Sequence, residues 1–115
     1  MADKPRPQPL AEFELLVLLA ALSLGADDAY TVSIADHIEE KTGRSVRRAN
    51  VYTTLQRLEA KQLVTTRLGD PRPERGGKPR RLVTVLPAGV VSVRATTRAI
   101  RAMVVGVGSA IGEMK

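Results

Sequence analysis

Between Leu10 and Leu24 the chain is apolar almost all the way round a helix: Phe13, Leu15, Leu16, Val17, Leu18, Leu19, Leu22 and Leu24 leave no continuous polar face. A helix of that kind in water has to be covered on more than one side. Its apolar run proper, Leu15 to Ala26, is twelve residues long and too short to span a bilayer. It follows Glu12 and Glu14 rather than a basic segment with a cleavage site behind it, which argues against a secretory signal. The expectation is the central helix of a soluble, cytoplasmic protein. One of its faces serves its own core, and the other asks for a partner.

The other elements that could cover it follow in order. Tyr30 to Thr42 has helical spacing, with Ile34, Ala35 and Ile38 turned inward and Asp36, Glu39 and Glu40 outward, and Gly43 supplies a stop. A third helix runs from about Arg47 to Gln62, its apolar stripe formed by Val51, Leu55 and Leu58. Two short β-branched runs, Val64 to Leu68 and Leu82 to Leu86, predict a hairpin with an overlong loop. Pro87 to Gly112 then reads as one long helix in which Val93, Thr97, Ile100, Val104, Val107 and Ile111 recur at alternating spacings of four and three. Such a seam needs another helix, and Gly106, Gly108 and Gly112 predict fraying at its end. Residues 1–9, with Pro5, Pro7 and Pro9 among charges, read as a disordered arm.

At 115 residues and 43% hydrophobic the chain can build a single domain, and with only 3% aromatic residues its core is aliphatic. The expected fold is mainly α with a small β-hairpin: a winged helix-turn-helix over residues 10–86 and a C-terminal dimerisation helix over residues 87–115. In that order of elements the second helix braces a third that can enter a major groove.

Charge points the same way. The net charge is +6, but between Arg44 and Arg81 eleven Lys or Arg face only Glu59, Asp70 and Glu74, so the middle third alone carries +8. A basic segment of this kind favours a polyanionic partner. A helix that reads base edges must present short polar or basic side chains on its outer face. Asn50, Thr53, Thr54 and Arg57 meet that demand, with Arg47 and Arg48 beside them and no acidic residue on that face before Glu59. The loop from Gly69 to Arg81 holds Arg72, Arg75, Lys78, Arg80 and Arg81 among Pro and Gly, including Gly76 and Gly77. Glycines let backbone approach phosphate, and arginines enter a narrow minor groove.

Catalytic alternatives fit poorly. Gly76-Gly77-Lys78 lacks the first glycine of a phosphate loop, because Arg72 stands there, and Pro79 stands where a magnesium-binding hydroxyl is needed. The C-terminal glycines have the wrong spacing for a dinucleotide fingerprint. With no Cys there are neither disulfides nor thiolate metal sites, and His37 is the only His, on a helix with Asp36, Glu39 and Glu40. It reads as a surface histidine, and the acidic pairs Asp27-Asp28 and Glu39-Glu40 as solubilising charge. No cofactor or metal is expected, and the chain does not read as an enzyme. The remaining alternative is a winged-helix protein-interaction module whose basic wing meets an acidic partner.

Thr42-Gly43, Val51-Tyr52-Thr53-Thr54-Leu55-Gln56-Arg57-Leu58-Glu59, Leu63-Val64, Glu74-Arg75-Gly76-Gly77-Lys78-Pro79-Arg80-Arg81 and Pro87-Ala88-Gly89 together, in that order, resemble the successive signatures of PadR-type transcriptional regulators. The resemblance covers nearly all of the chain from Leu10 onward. It implies a winged helix-turn-helix of the short subclass that represses nearby genes from a pseudo-palindromic site on double-stranded DNA. It also implies a homodimer held largely by the last helix with help from the first. Leu15 and Leu19 are accordingly expected at that interface with Val93, Thr97, Ile100, Val104, Val107 and Ile111. Tyr52 falls at the aromatic position that supports the recognition helix and reaches a phosphate, and Arg75 to Arg80 fall at the wing tip. Members of the family commonly release DNA on binding a small hydrophobic molecule near the dimer interface, so a small hydrophobic effector is a further partner the resemblance implies. The chain departs from the family at Arg47-Arg48-Ala49-Asn50, where the usual N-cap is lost and Ser45 is expected to cap instead. It departs again at Leu86, where Pro87 compensates as a first-turn residue.

Overall fold

The computed structural model describes residues 7–69 and 79–113, without the side chains of residues 109, 111 and 113. Its elements are α1 (Glu12–Leu24), α2 (Thr31–Thr42), α3 (Arg48–Ala60), β1 (Val64–Leu68), β2 (Arg81–Val85), α4 (Pro87–Gly106) and α5 (Gly108–Glu113). This is the expected mainly helical fold with one antiparallel hairpin and a C-terminal helix.

The all-round apolar helix lies at the centre. α1 packs against α2, α3, β2 and α4, and Val17 and Leu18 are fully buried. Leu15 is buried in this same core, which corrects the expectation that it serves a partner. In a helix without a polar face, nothing in the spacing distinguishes the core side from the partner side.

Local chemistry sets the element ends. The Glu14 carboxylate accepts the Ala11 amide at 2.9 Å, holding the first turn of α1. The Tyr30 amide donates to Ser33 Oγ at 3.0 Å at the start of α2, and Gly43 ends that helix in the left-handed region at φ 74°. Ser45 does not cap α3, whose start has no side-chain cap. Instead Glu39 reaches across the turn, and its Oε2 accepts the Val46 amide at 2.7 Å. Glu39 therefore does more than solubilise: it bonds the chain entering α3 to α2. The end of α3 is closed by a Schellman pair, Leu63 N donating to Leu58 O at 3.0 Å and Gln62 N to Glu59 O at 2.9 Å, with Gln62 at φ 62°.

The hairpin pairs Val64 with Val85 and Leu68 with Arg81; it is bonded to the turn between α1 and α2, and its pairing continues one residue further at the end that leads into α4. Val83 N donates to Ala29 O at 2.8 Å and Leu86 N to Leu63 O at 2.9 Å. Gly89, in the first turn of α4, lies so close to the Leu63 carbonyl that a Cβ there would collide with it. Ser92 is buried, and its Oγ accepts the Gln8 amide at 3.2 Å, while Gln8 Nε2 donates to Lys61 O at 3.1 Å. The described end of the stretch read as a disordered arm is thus fastened across α3 and α4.

The last helix is not continuous. Val107, at φ −125°, ends α4, and α5 starts at Gly108. Flanking glycines lower the cost of this break, since each disfavours the helix by about 1 kcal/mol relative to Ala. No described helix is long and apolar enough to cross a membrane.

Candidate nucleic-acid interface

The third helix divides along its length as its sequence implied. Val51, Leu55 and Leu58 enter the core, while Arg47, Arg48, Asn50, Tyr52, Thr53 and Arg57 are exposed on and beside the helix. Thr54 is the exception among the expected contacts. It is only 4% exposed, because it lies three residues after Val51 and beside Leu55, within the buried stripe. Thr53 Oγ donates to Ala49 O at 2.9 Å, so its methyl and oxygen lone pairs are what remain for a ligand. Gln56 Nε2 donates to the Tyr52 hydroxyl at 3.3 Å, one turn along the helix.

Asn50, Thr53, Thr54 and Arg57 share a shallow groove of about 340 Å³ with Phe13 of α1. Phe13 was missed as a neighbour of this face, since its spacing shows only that α1 is apolar. Electrostatics here centre on Glu14, a buried carboxylate under an exposed basic face. Its Oε2 lies 2.9 Å from Lys61 Nζ and 3.8 Å from Arg57 Nη1. Burial pushes the Glu14 carboxyl up, but the hydrogen bonds from Lys61 and the Ala11 amide and the charges of Lys61 and Arg57 outweigh it, leaving the group below the usual carboxylate range.

Arg75, Gly76, Gly77 and Lys78 lie outside the described residues. Arg80, expected with them as a DNA contact, is half-buried, with its guanidinium carbon 4.8 Å from the centroid of Tyr30. Arg81 donates to Thr66 Oγ at 3.1 Å, and Thr66 Oγ donates to Glu59 Oε2 at 3.0 Å, joining both strands to the end of α3.

Of the residues expected at a dimer interface, Val93 joins Leu15 in the protomer's own core, and the Thr97 hydroxyl donates back to Val93 O at 2.8 Å. Val93 is corrected for the same reason as Leu15: the first turns of α4 pack on α1 of their own chain. Leu19, Ile100, Val104 and Val107 are exposed, as are Leu22 and Met103, which the heptad spacing did not single out. The Ile111 side chain lies outside those described. His37 is half-buried and lines an apolar groove of about 300 Å³ with Leu16, Leu19, Ala20 and Ile38, not the purely polar surface expected of it. Among the described residues no cluster of His, Cys, Asp or Glu could hold a metal ion.

The family model of PadR-like transcriptional regulators matches residues 18–95 of this chain. Among solved structures, the chain is similar to a PadR family regulator from Clostridium difficile, with 17% identity, 88% of this chain and 99% of that one covered, and a TM-score of 0.70. It is also similar to a PadR family regulator from Eggerthella lenta at 22% identity, covering 87% of this chain and 86% of that one with a TM-score of 0.66. A transcriptional regulator from Clostridium thermocellum matches at 16% identity, with 84% and 89% covered and a TM-score of 0.66. No protein of curated function matches the sequence.

Proposed function

Since the chain belongs to the PadR-like family of transcriptional regulators, which are not enzymes, we propose that it is a sequence-specific DNA-binding repressor acting as a homodimer. The observation that carries this reading is the outer face of α3, where Arg47, Arg48, Asn50, Thr53 and Arg57 are exposed and no acidic residue precedes Glu59. Arg57 suits a guanine edge and Asn50 an adenine edge in the major groove. Arg47, Arg48 and Tyr52 suit phosphates, which set register rather than sequence. The basic loop residues Arg75 and Lys78 are assigned to the flanking minor groove or backbone on their sequence.

Dimerisation is supported by Ile100 and Val104 on α4 and Val107 just past its end, an apolar seam that its own protomer leaves exposed. Two-fold symmetry then calls for a pseudo-palindromic operator with half-sites about 10 base pairs, or a multiple of that, apart. Relief by a small hydrophobic effector belongs to the same reading, and the apolar groove beside Leu19 offers walls of the right character. The test is a mobility-shift titration of DNA from upstream of the protein's own gene against random competitor at two salt concentrations. Retention over competitor supports the reading. Absence of binding at both salt concentrations contradicts it and favours a protein-interaction module.

A further inference from the structure

Among the described residues the buried carboxylate of Glu14 has no counterpart in the core, where the other buried polar side chains are the hydroxyls of Thr54 and Ser92. Its side chain is 4% exposed while that of Arg57, across the α1–α3 contact, is 52% exposed. One edge of the Arg57 guanidinium is therefore near a fixed anion, and the same side chain lines the groove with Asn50, Thr53 and Phe13. At 3.8 Å the pair is an ionic contact and not a close hydrogen bond. It biases the guanidinium without using up its five donors. Glu14 itself is fixed by two closer bonds, from the Ala11 amide to Oε1 at 2.9 Å and from Lys61 Nζ at 2.9 Å to Oε2, the oxygen that faces Arg57, so its carboxylate is held in place.

We infer that Glu14 is a positioning residue for DNA readout, orienting Arg57 towards one base pair of each half-site from inside the core. The inference rests on α3 reading the major groove. A long, flexible arginine loses side-chain freedom when it docks on a base, and an arm already biased to one orientation loses less. Discrimination at the base it faces rises accordingly. The same carboxylate also sets a negative charge close behind the DNA-facing surface and so restrains general affinity for phosphates.

The test selects duplexes from a randomised pool with the full-length wild type and with Glu14→Gln and Glu14→Asp, and reads base frequencies and the salt dependence of binding. Gln keeps an acceptor for the Ala11 amide and removes the charge. Asp keeps the charge and withdraws it from Arg57 by one methylene. Both variants are expected to lose the preference at one base pair per half-site, roughly five- to 150-fold, the range that one arginine–guanine pair provides. Glu14→Gln alone is expected to bind random duplex more tightly. Adding Arg57→Ala to either variant should then change that base preference no further. Circular dichroism confirms that each variant is folded, and if Glu14→Gln unfolds, Glu14→Asp alone decides. A selective wild type whose preference survives in the folded variants overturns the role of Glu14. A wild type that binds without preference overturns base reading by α3, and this inference with it.

Discussion

Arg80 lies over the ring of Tyr30, its guanidinium carbon 4.8 Å from the ring centroid, and so joins the base of the wing to the start of the helix that braces α3. The bond from Val83 N to Ala29 O, 2.8 Å long, runs alongside it. Cation–π contacts contribute about 0.5–2 kcal/mol according to how dry they are. Tyr30→Leu and Arg80→Ala are each expected to lower stability by about 1 kcal/mol in urea unfolding. The double variant should fall short of the sum of the two, because the second substitution finds no contact left to remove.

Acid should loosen the joint between α1 and α3. The Glu14 carboxyl is held below its ordinary value of 4.5 in the folded chain, so the stability it contributes is fully present above that value and is lost as pH falls below it. Urea midpoints measured from about pH 6 down to about pH 3 should drop more steeply in the wild type than in Glu14→Gln, which has no proton to take up there. Parallel curves would show that Glu14 is not the group responsible.

Glycines at the two ends of α4 should respond in opposite directions. A Cβ at Gly89 would collide with the Leu63 carbonyl and stand 2.8 Å from Val85 Cγ1, whereas at Gly106 it would meet nothing within 4 Å. Gly89→Ala is therefore expected to cost about 1–3 kcal/mol through overpacking. Gly106→Ala is expected to gain up to about 1 kcal/mol through helix propensity. Thermal unfolding followed by circular dichroism separates the two.

The seam on α4 makes its own prediction. Ile100 and Val104 are 48% and 50% exposed, so an Ile100→Asp, Val104→Asp variant leaves the protomer's core untouched. In sedimentation it is expected to run at half the wild-type mass while retaining its helical signal. Its operator affinity should fall, because each half-site is then bound separately.

How much of this was legible in the sequence depended on range. The strand Val64–Leu68 and the stripe of Val51, Leu55 and Leu58 follow from local alternation and helical spacing, and they appear as read. Local spacing cannot rank the faces of α1, which is why Leu15 was assigned to a partner and Phe13 was missed beside Asn50 and Arg57. Thr54 could have been placed inside, since it shares a helical edge with Val51 and Leu58. Glu39, Gln8 and Arg80 act through partners seven to eighty-four positions away. Their types suggested solvent or, for Arg80, DNA, and only the packed chain supplies the amide, hydroxyl or ring that each one meets.

Guanine methylation interference on the operator most directly tests whether α3 of each of two protomers reads the major groove, because N7 methylation blocks that groove alone. Two clusters of interfering guanines, about one helical turn or a whole multiple of it apart and weakened by Arg57→Ala, are the predicted result. Full binding to uniformly methylated DNA, or a single cluster unaffected by Arg57→Ala, would contradict it.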